Sequence, residues 1–168
     1  RIEHAMDALR LLCTKDRVRA ELLAQNLSST NKERQLLLAE TTRHAYETVD
    51  NDRVRQLNKL IFISHENYNQ GVIGLVAGKL VDEYYRPAIV ISKGKKYSKA
   101  SARSIAGFNI VEAIRSCSAL LVDVGGHPMA AGFTIETSKL LLLEKKLTQT
   151  VEKSLDEEKL QRVLKIDC

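Results

Sequence analysis

The sequence predicts an α/β protein, a small mixed sheet flanked by helices and preceded by a long connector helix. Three observations lead there. From Leu60 onward, short β-branched runs alternate with amphipathic helical segments, the pattern of a layered sheet-and-helix architecture. Residues 17–49 carry no Pro or Gly and keep an apolar helical stripe, which predicts one long helix or two abutting ones. The length, 168 residues, suits one domain with an appendage, and at 44% hydrophobic the chain can bury a core without disulfides or a structural metal.

The elements follow in order. Ile2, Ala5, Met6, Leu9, Leu12 and Cys13 share one face of a helix over 2–13. Thr14-Lys15-Asp16 breaks it and offers an N-cap to the next helix. In that helix Val18, Leu22, Leu23 and Leu27 form the stripe, which Leu37 and Leu38 resume, and Ser28-Ser29-Thr30-Asn31 is the expected interruption. Leu60-Ile61-Phe62-Ile63 reads as a buried strand. Gly71-Val72-Ile73-Gly74 opens a helix to about Tyr85, Pro87 ends it, and Ala88-Ile89-Val90-Ile91 is a second strand. After a turn at Lys93–Lys96, residues 98–104 alternate small and polar residues like an edge strand. A short helix over 110–117 follows. Gly125-Gly126-His127 is expected to break the chain, Ala131–Ile135 to form a strand, and Ser138 to cap a last helix with Leu140, Leu143, Leu147 and Val151 on its buried face.

No apolar run approaches the roughly 18 residues a membrane span needs; the longest candidate, Leu140–Leu143, ends at Glu144. Cys13, Cys117 and Cys168 are odd in number, widely spaced and without a CxxC, which points to free thiols and a reducing, cytoplasmic setting. The opening Arg1-Ile2-Glu3-His4 is unlike a signal peptide, and the first Met is Met6, as expected of a piece of a longer protein.

Charge is concentrated. The chain carries +5 overall, while residues 86–115 hold seven bases (Arg86, Lys93, Lys95, Lys96, Lys99, Arg103, Arg115) against one acid, Glu112. That segment alone is +6, the footprint of a polyanion site, although a solvated lysine turn gives the same pattern.

Three motifs bear on chemistry. In Gly125-Gly126-His127-Pro128-Met129-Ala130-Ala131-Gly132, paired glycines let a ligand approach the backbone, and the imidazole can offer N–H to a phosphate or base. In Ser101-Ala102-Arg103-Ser104, a strand puts Ser101 and Arg103 on one face, a hydroxyl beside a rigid fork of donors. At Gly71–Gly74, free amides at a helix start favour an anion. Each also has an ordinary structural explanation: a glycine turn, a charged strand edge, close helix–strand packing. No metal site is expected, because the four histidines lie 40, 21 and 62 residues apart without ligand-like spacing. GxSxG, P-loop and GxGxxG motifs are absent. Tyr68, Tyr97 and Phe108 are the few candidates for stacking on bases.

Taken in order, Gly71–Ala77, Arg86–Ile91, Ser101–Ile110 and Gly125–Gly132 closely resemble the DHH-associated domain of the RecJ family of single-stranded-DNA-specific exonucleases. The likeness is strong over about residues 57–137. It implies four parts: the end of a DHH catalytic domain (1–13), an interdomain connector helix (14–56), a DHH-associated nucleic-acid-binding domain (57–160) and the start of a following domain (161–168).

The resemblance further implies a bacterial 5′-to-3′ exonuclease of DNA repair and recombination, with single-stranded DNA as partner and the DHH domain acting in cis. Manganese (or magnesium) belongs to that domain, so no cofactor, metal ligand or catalytic group is expected in this chain, and the fragment alone is expected to be inactive. By the family pattern Ser101, Arg103 and Ser104 contact the DNA backbone, and Gly125, Gly126 and His127 hold the terminal nucleotide. Lys93, Lys95, Lys96 and Lys99 add phosphate attraction, and Arg1, as the Arg of a Gly-Arg motif, is a candidate phosphate ligand. One departure stands out: Tyr68-Asn69 occupies the place of the family's usual Trp-His. The competing readings are a related DHH-family phosphodiesterase acting on oligonucleotides or cyclic dinucleotides, a tRNA-binding accessory domain, and an interaction module.

Overall fold

The structure, a computed structural model, describes residues 5–162. Arg1 and Ile2, with the rest of residues 1–4, and the segment 163–168 lie outside the described residues.

Helix α1 spans Met6–Cys13 and helix α2 spans Arg17–Asp50. Asp16 caps α2, its carboxylate accepting from the amides of Val18 (2.9 Å) and Arg19 (3.3 Å). The expected interruption at Ser28–Asn31 does not occur: α2 runs unbroken for 34 residues. Asn31, instead of turning the backbone, accepts from the Arg34 guanidinium one helical turn on. A short helix that the periodicity misses, α3 (Arg53–Leu57), follows; Asp52 caps it and holds the Arg55 guanidinium at 2.8 Å.

The rest is a five-stranded mixed sheet with helices. Its elements are β1 (Ile61–His65), α4 (Ile73–Tyr84), β2 (Ala88–Ser92), β3 (Tyr97–Arg103), α5 (Ile110–Arg115), β4 (Leu121–His127), β5 (Ala130–Glu136) and α6 (Leu140–Ser154). The strand order is β1-β2-β3-β5-β4. β1 and β2 are parallel, joined by α4, and every other pairing is antiparallel.

Three expectations are corrected. The segment 98–104 is not an edge: β3 is the middle strand, and its small residues are there because it is paired on both sides. Gly125-Gly126-His127 does not break the chain; it ends β4, and Pro128-Met129 make the turn into β5. Ser138 is not an N-cap, since it sits inside a 3-10 turn over Thr137–Lys139 that leads directly into α6.

The sheet has two differently covered faces. On one, Phe62, Ile89, Ile91, Ala100, Ala102, Phe133 and Ile135 pack under α5 and α6 through Ile110, Ile114, Leu143, Leu147 and Val151. On the other, Ile61, Ile63, Ala88 and Val90 of β1 and β2 pack under α4 and the C-terminal part of α2 through Ile73, Val76, Leu80, Ala45 and Val49. This second layer stops short. Helix α4 lies over β2 and β3, while β5 and β4 carry no helix on that face, so its β5–β4 side is open.

Candidate nucleic-acid interface

Register fixes what the open half presents. In one row across the strands, Arg103 stands opposite Ala130, and Ala130 opposite His127. In the next, Ser101 faces Gly132, which faces Gly125; in the third, Lys99 faces Thr134, which faces Asp123. Side chains two apart on a strand share a face. Arg103, Ser101 and Lys99 therefore line one side of a shallow trough and His127 stands on the other. Ala130, Gly132 and Gly125 make its floor. Neighbouring strands lie roughly 4.8 Å apart, so Arg103 and His127 spring from backbone positions about 10 Å apart, room for a nucleotide between them.

A β-bulge sets the far side. The pairing advances two residues on β4, Leu121 to Asp123, against one on β5, Ile135 to Thr134. Unshifted alternation would put Asp123 opposite Phe133, on the core side. The extra residue, exposed Val122, instead sends Val124 to Phe133 and turns Asp123, Gly125 and His127 to the open face.

The two glycines of the pair differ. At Gly126 φ is +147°, and an added Cβ would lie 2.4 Å from the Ala130 carbonyl oxygen and 2.5 Å from Ala131 Cα. The fold itself demands glycine there. At Gly125 an added Cβ meets nothing within 4 Å. Its glycine is not needed by the fold and leaves bare backbone on the trough floor.

The other wall is a cleft of about 570 Å³ between β3 and the start of α4, lined by Gln70, Gly71, Gly74, Lys99, Ser101 and Arg103. Arg103 is held in place: its Nη1 donates to the Ala102 carbonyl (2.9 Å) and to Ser101 Oγ (3.3 Å). Gly74 lets α4 sit this close, since a Cβ there would stand 3.0 Å from Ser101 Oγ and 3.2 Å from Arg103 Nη2. The expectation of free amides at this helix start is corrected. Asn69 takes those of Gly71, Val72 and Ile73, its Oδ1 accepting from Gly71 N–H (2.7 Å) and its carbonyl from Val72 and Ile73. Gly71, Val72 and Ile73 thus contribute shape rather than donors, and Asn69 fixes the turn entering α4.

The remaining predicted residues separate. Ser104 is buried and donates to the Phe108 carbonyl at 2.7 Å, so it belongs to the interior and not to the trough. Lys93 is ion-paired with Glu66 (3.0 Å), and this pairing holds the Glu66 carboxyl below the usual range. Lys95 and Lys96 sit on the exposed turn, Lys96 over the Tyr97 ring. Arg86 donates to the carbonyls of Arg55, Gln56 and Asn58, tying α3 to the start of β2 and spending one base of the +6 segment on structure. Of the aromatic candidates, Tyr68 and Phe108 are buried and only Tyr97 is exposed.

Sequence reading named Gly74 only as part of a helix-start anion site and Gly132 only as the end of the glycine motif, without setting either against Arg103 and Ser101, and it missed Asp123 on this face. The period-2 parity of β3 and β5 was the available signal for Gly132; the bulge hid Asp123. It also missed the junction beside it, where His44 of α2 meets Tyr68 OH at 2.8 Å and stacks obliquely on His65, ring centroids 4.6 Å apart. Among the described residues no three His, Cys, Asp or Glu side chains group as metal ligands would. The described residues do not fit the manganese or magnesium of the implied active site, and no hydrolytic step is assigned to them.

The family described as the DHHA1 domain matches residues 56–157. The single-stranded-DNA-specific exonuclease RecJ of Bacillus subtilis is 41% identical over 99% of this chain, and that of Thermus thermophilus 34% identical over 81%. This chain spans only about a fifth of those proteins, 21% and 19%. The crystal structure of T. thermophilus RecJ in complex with Mn2+ superposes with a TM-score of 0.78 at 30% identity, covering 89% of this chain and 22% of that one. The same protein has also been solved with Mg2+.

Proposed function

The chain belongs to the DHHA1 domain family, and from that premise we propose that it is the nucleic-acid-binding part of a RecJ-like 5′-to-3′ single-stranded-DNA exonuclease of DNA repair and recombination. In this reading residues 57–160 hold the DNA backbone and terminal nucleotide against a metal-dependent DHH active site elsewhere in the parent protein, and residues 14–56 connect the two. The observation that carries the proposal is the half-covered sheet, whose bare face sets a fixed guanidinium and hydroxyl across a glycine floor from an imidazole.

The division of labour follows from the side chains. Arg103, with Nη1 anchored on Ala102 and Ser101, presents the rest of its fork to a phosphate without first losing rotamer freedom. Ser101 Oγ adds a donor to the same phosphate, and Lys99 attracts the next as a mobile point charge. The bare backbone of Gly125 and Gly132 lets a sugar or base lie against the sheet, with His127 Nδ1 or Nε2 as a hydrogen-bonding group at its edge.

Fluorescence anisotropy with labelled single-stranded DNA, duplex DNA and tRNA tests this. Single-stranded DNA should bind tightest, and preference for tRNA would overturn the reading. In the full-length parent, Arg103→Ala and His127→Ala should each lower cleavage roughly 30- to 1000-fold, about 2–4 kcal/mol of barrier, with circular dichroism unchanged. The purified chain alone, supplied with manganese, should leave 5′-labelled single-stranded DNA intact. Degradation that co-purifies with the protein through two chromatographic steps would place a nuclease site within it.

A further inference from the structure

The open face carries one charge of the wrong sign for a phosphate platform. Asp123 is exposed on β4, turned to that face by the bulge at Val122, in the row Lys99–Thr134–Asp123. It has no hydrogen-bond or ion-pair partner among the described residues. The other acid on the face, Glu136, is neutralised by Lys139 at 2.9 Å. The nearest basic side chains to Asp123 on this face are Lys99, two strands away, and His127, four residues along β4 and about 14 Å distant at 3.4 Å per residue. An unpaired carboxylate beside a polyanion track is repulsive, most strongly at low salt.

We propose that Asp123 is a positioning residue that bounds the phosphate track: it turns the backbone away from the β4 end of the trough and confines it to the Arg103–Ser101–Lys99 side. The phosphate chain can then run along β3, or cross at the Arg103–His127 row, but cannot continue down β4. This rests on the nucleic-acid-binding reading above. The position is solvent-exposed, so neutral and cationic replacements leave the packing alone.

The test measures binding of fluorescein-labelled oligo(dT) to the wild-type chain, Asp123→Asn, Asp123→Lys and Arg103→Ala across a salt series. Removing one repulsive charge about 7 Å from a phosphate in water should tighten binding about threefold, and reversing it about sevenfold. Both gains should shrink as salt rises. If Arg103→Ala weakens binding while Asp123→Asn leaves it unchanged or weaker, the boundary role is wrong and the platform stands. If Arg103→Ala has no effect, the platform itself fails and the boundary role falls with it. Tightening by both Asp123 variants, graded with charge, alongside weakening by Arg103→Ala, is the expected result.

Discussion

Two adjacent glycines, alike in the sequence, do different work here, and substitution separates them. Gly126→Ala forces a Cβ into backbone at a positive φ. Strain and overpacking together should cost about 2–4 kcal/mol, read as a lowered denaturant midpoint. Gly125→Ala points its methyl into open space, so stability should change by less than about 0.5 kcal/mol. It should still weaken single-stranded-DNA binding, because the methyl occupies the trough floor. Equal binding by Gly125→Ala and wild type would show that nothing lies against that floor. Ser101 and Ser104 are a similar pair. Strand parity could have separated them, since Ser101 shares its face with Arg103, whereas Ser104 lies just beyond the strand with its hydroxyl turned inward to Phe108. Motif resemblance grouped what parity divides.

Most elements were legible because hydrophobic periodicity is local: α4, β1, β2, β5 and α6 fall within a few residues of where the pattern puts them. Strand β4 was not, for two physical reasons. Its bulge breaks the period of two at Val122, and its glycine pair looks like a turn when it is in fact paired strand facing Gly132 and Ala131. Helix α3 was missed because five residues give no period to read; its signal is the cap. The Asp52 carboxyl is held below the usual range, first by the Arg55 backbone N–H and then by the Arg55 side chain. A carboxyl depressed in the folded state adds stability that is fully present above its unfolded value, roughly pH 4. That contribution is lost as pH falls through the lower folded value. The Tm gap between wild type and Asp52→Ala should therefore be constant near neutrality and narrow below about pH 4 in thermal melts. A gap that persists at the lowest pH would mean the cap acts without its charge.

At the scale of the whole molecule, what no local pattern could reveal is which half of a sheet face stays bare. That depends on α4 crossing β2 and β3 but stopping short of β5 and β4, a packing outcome, and it sorts the basic segment into groups with different fates. Arg86 is spent on backbone carbonyls, Lys93 on Glu66, and Lys99 and Arg103 line the cleft. Net charge alone would assign all of them equally to a polyanion. Counterion release distinguishes them, because only cations that contact phosphates contribute to the salt dependence of binding. Each phosphate neutralised on a single strand adds about 0.7 to the slope of log affinity against log salt. Lys99→Ala should flatten that slope by about 0.7, and Lys99→Ala with Arg103→Ala by about 1.4. Lys93→Ala should leave it unchanged, since the ammonium it removes is already paired with Glu66. A slope that flattens as much for Lys93→Ala as for Lys99→Ala would show that the strand runs over the β2–β3 turn and not along the open face.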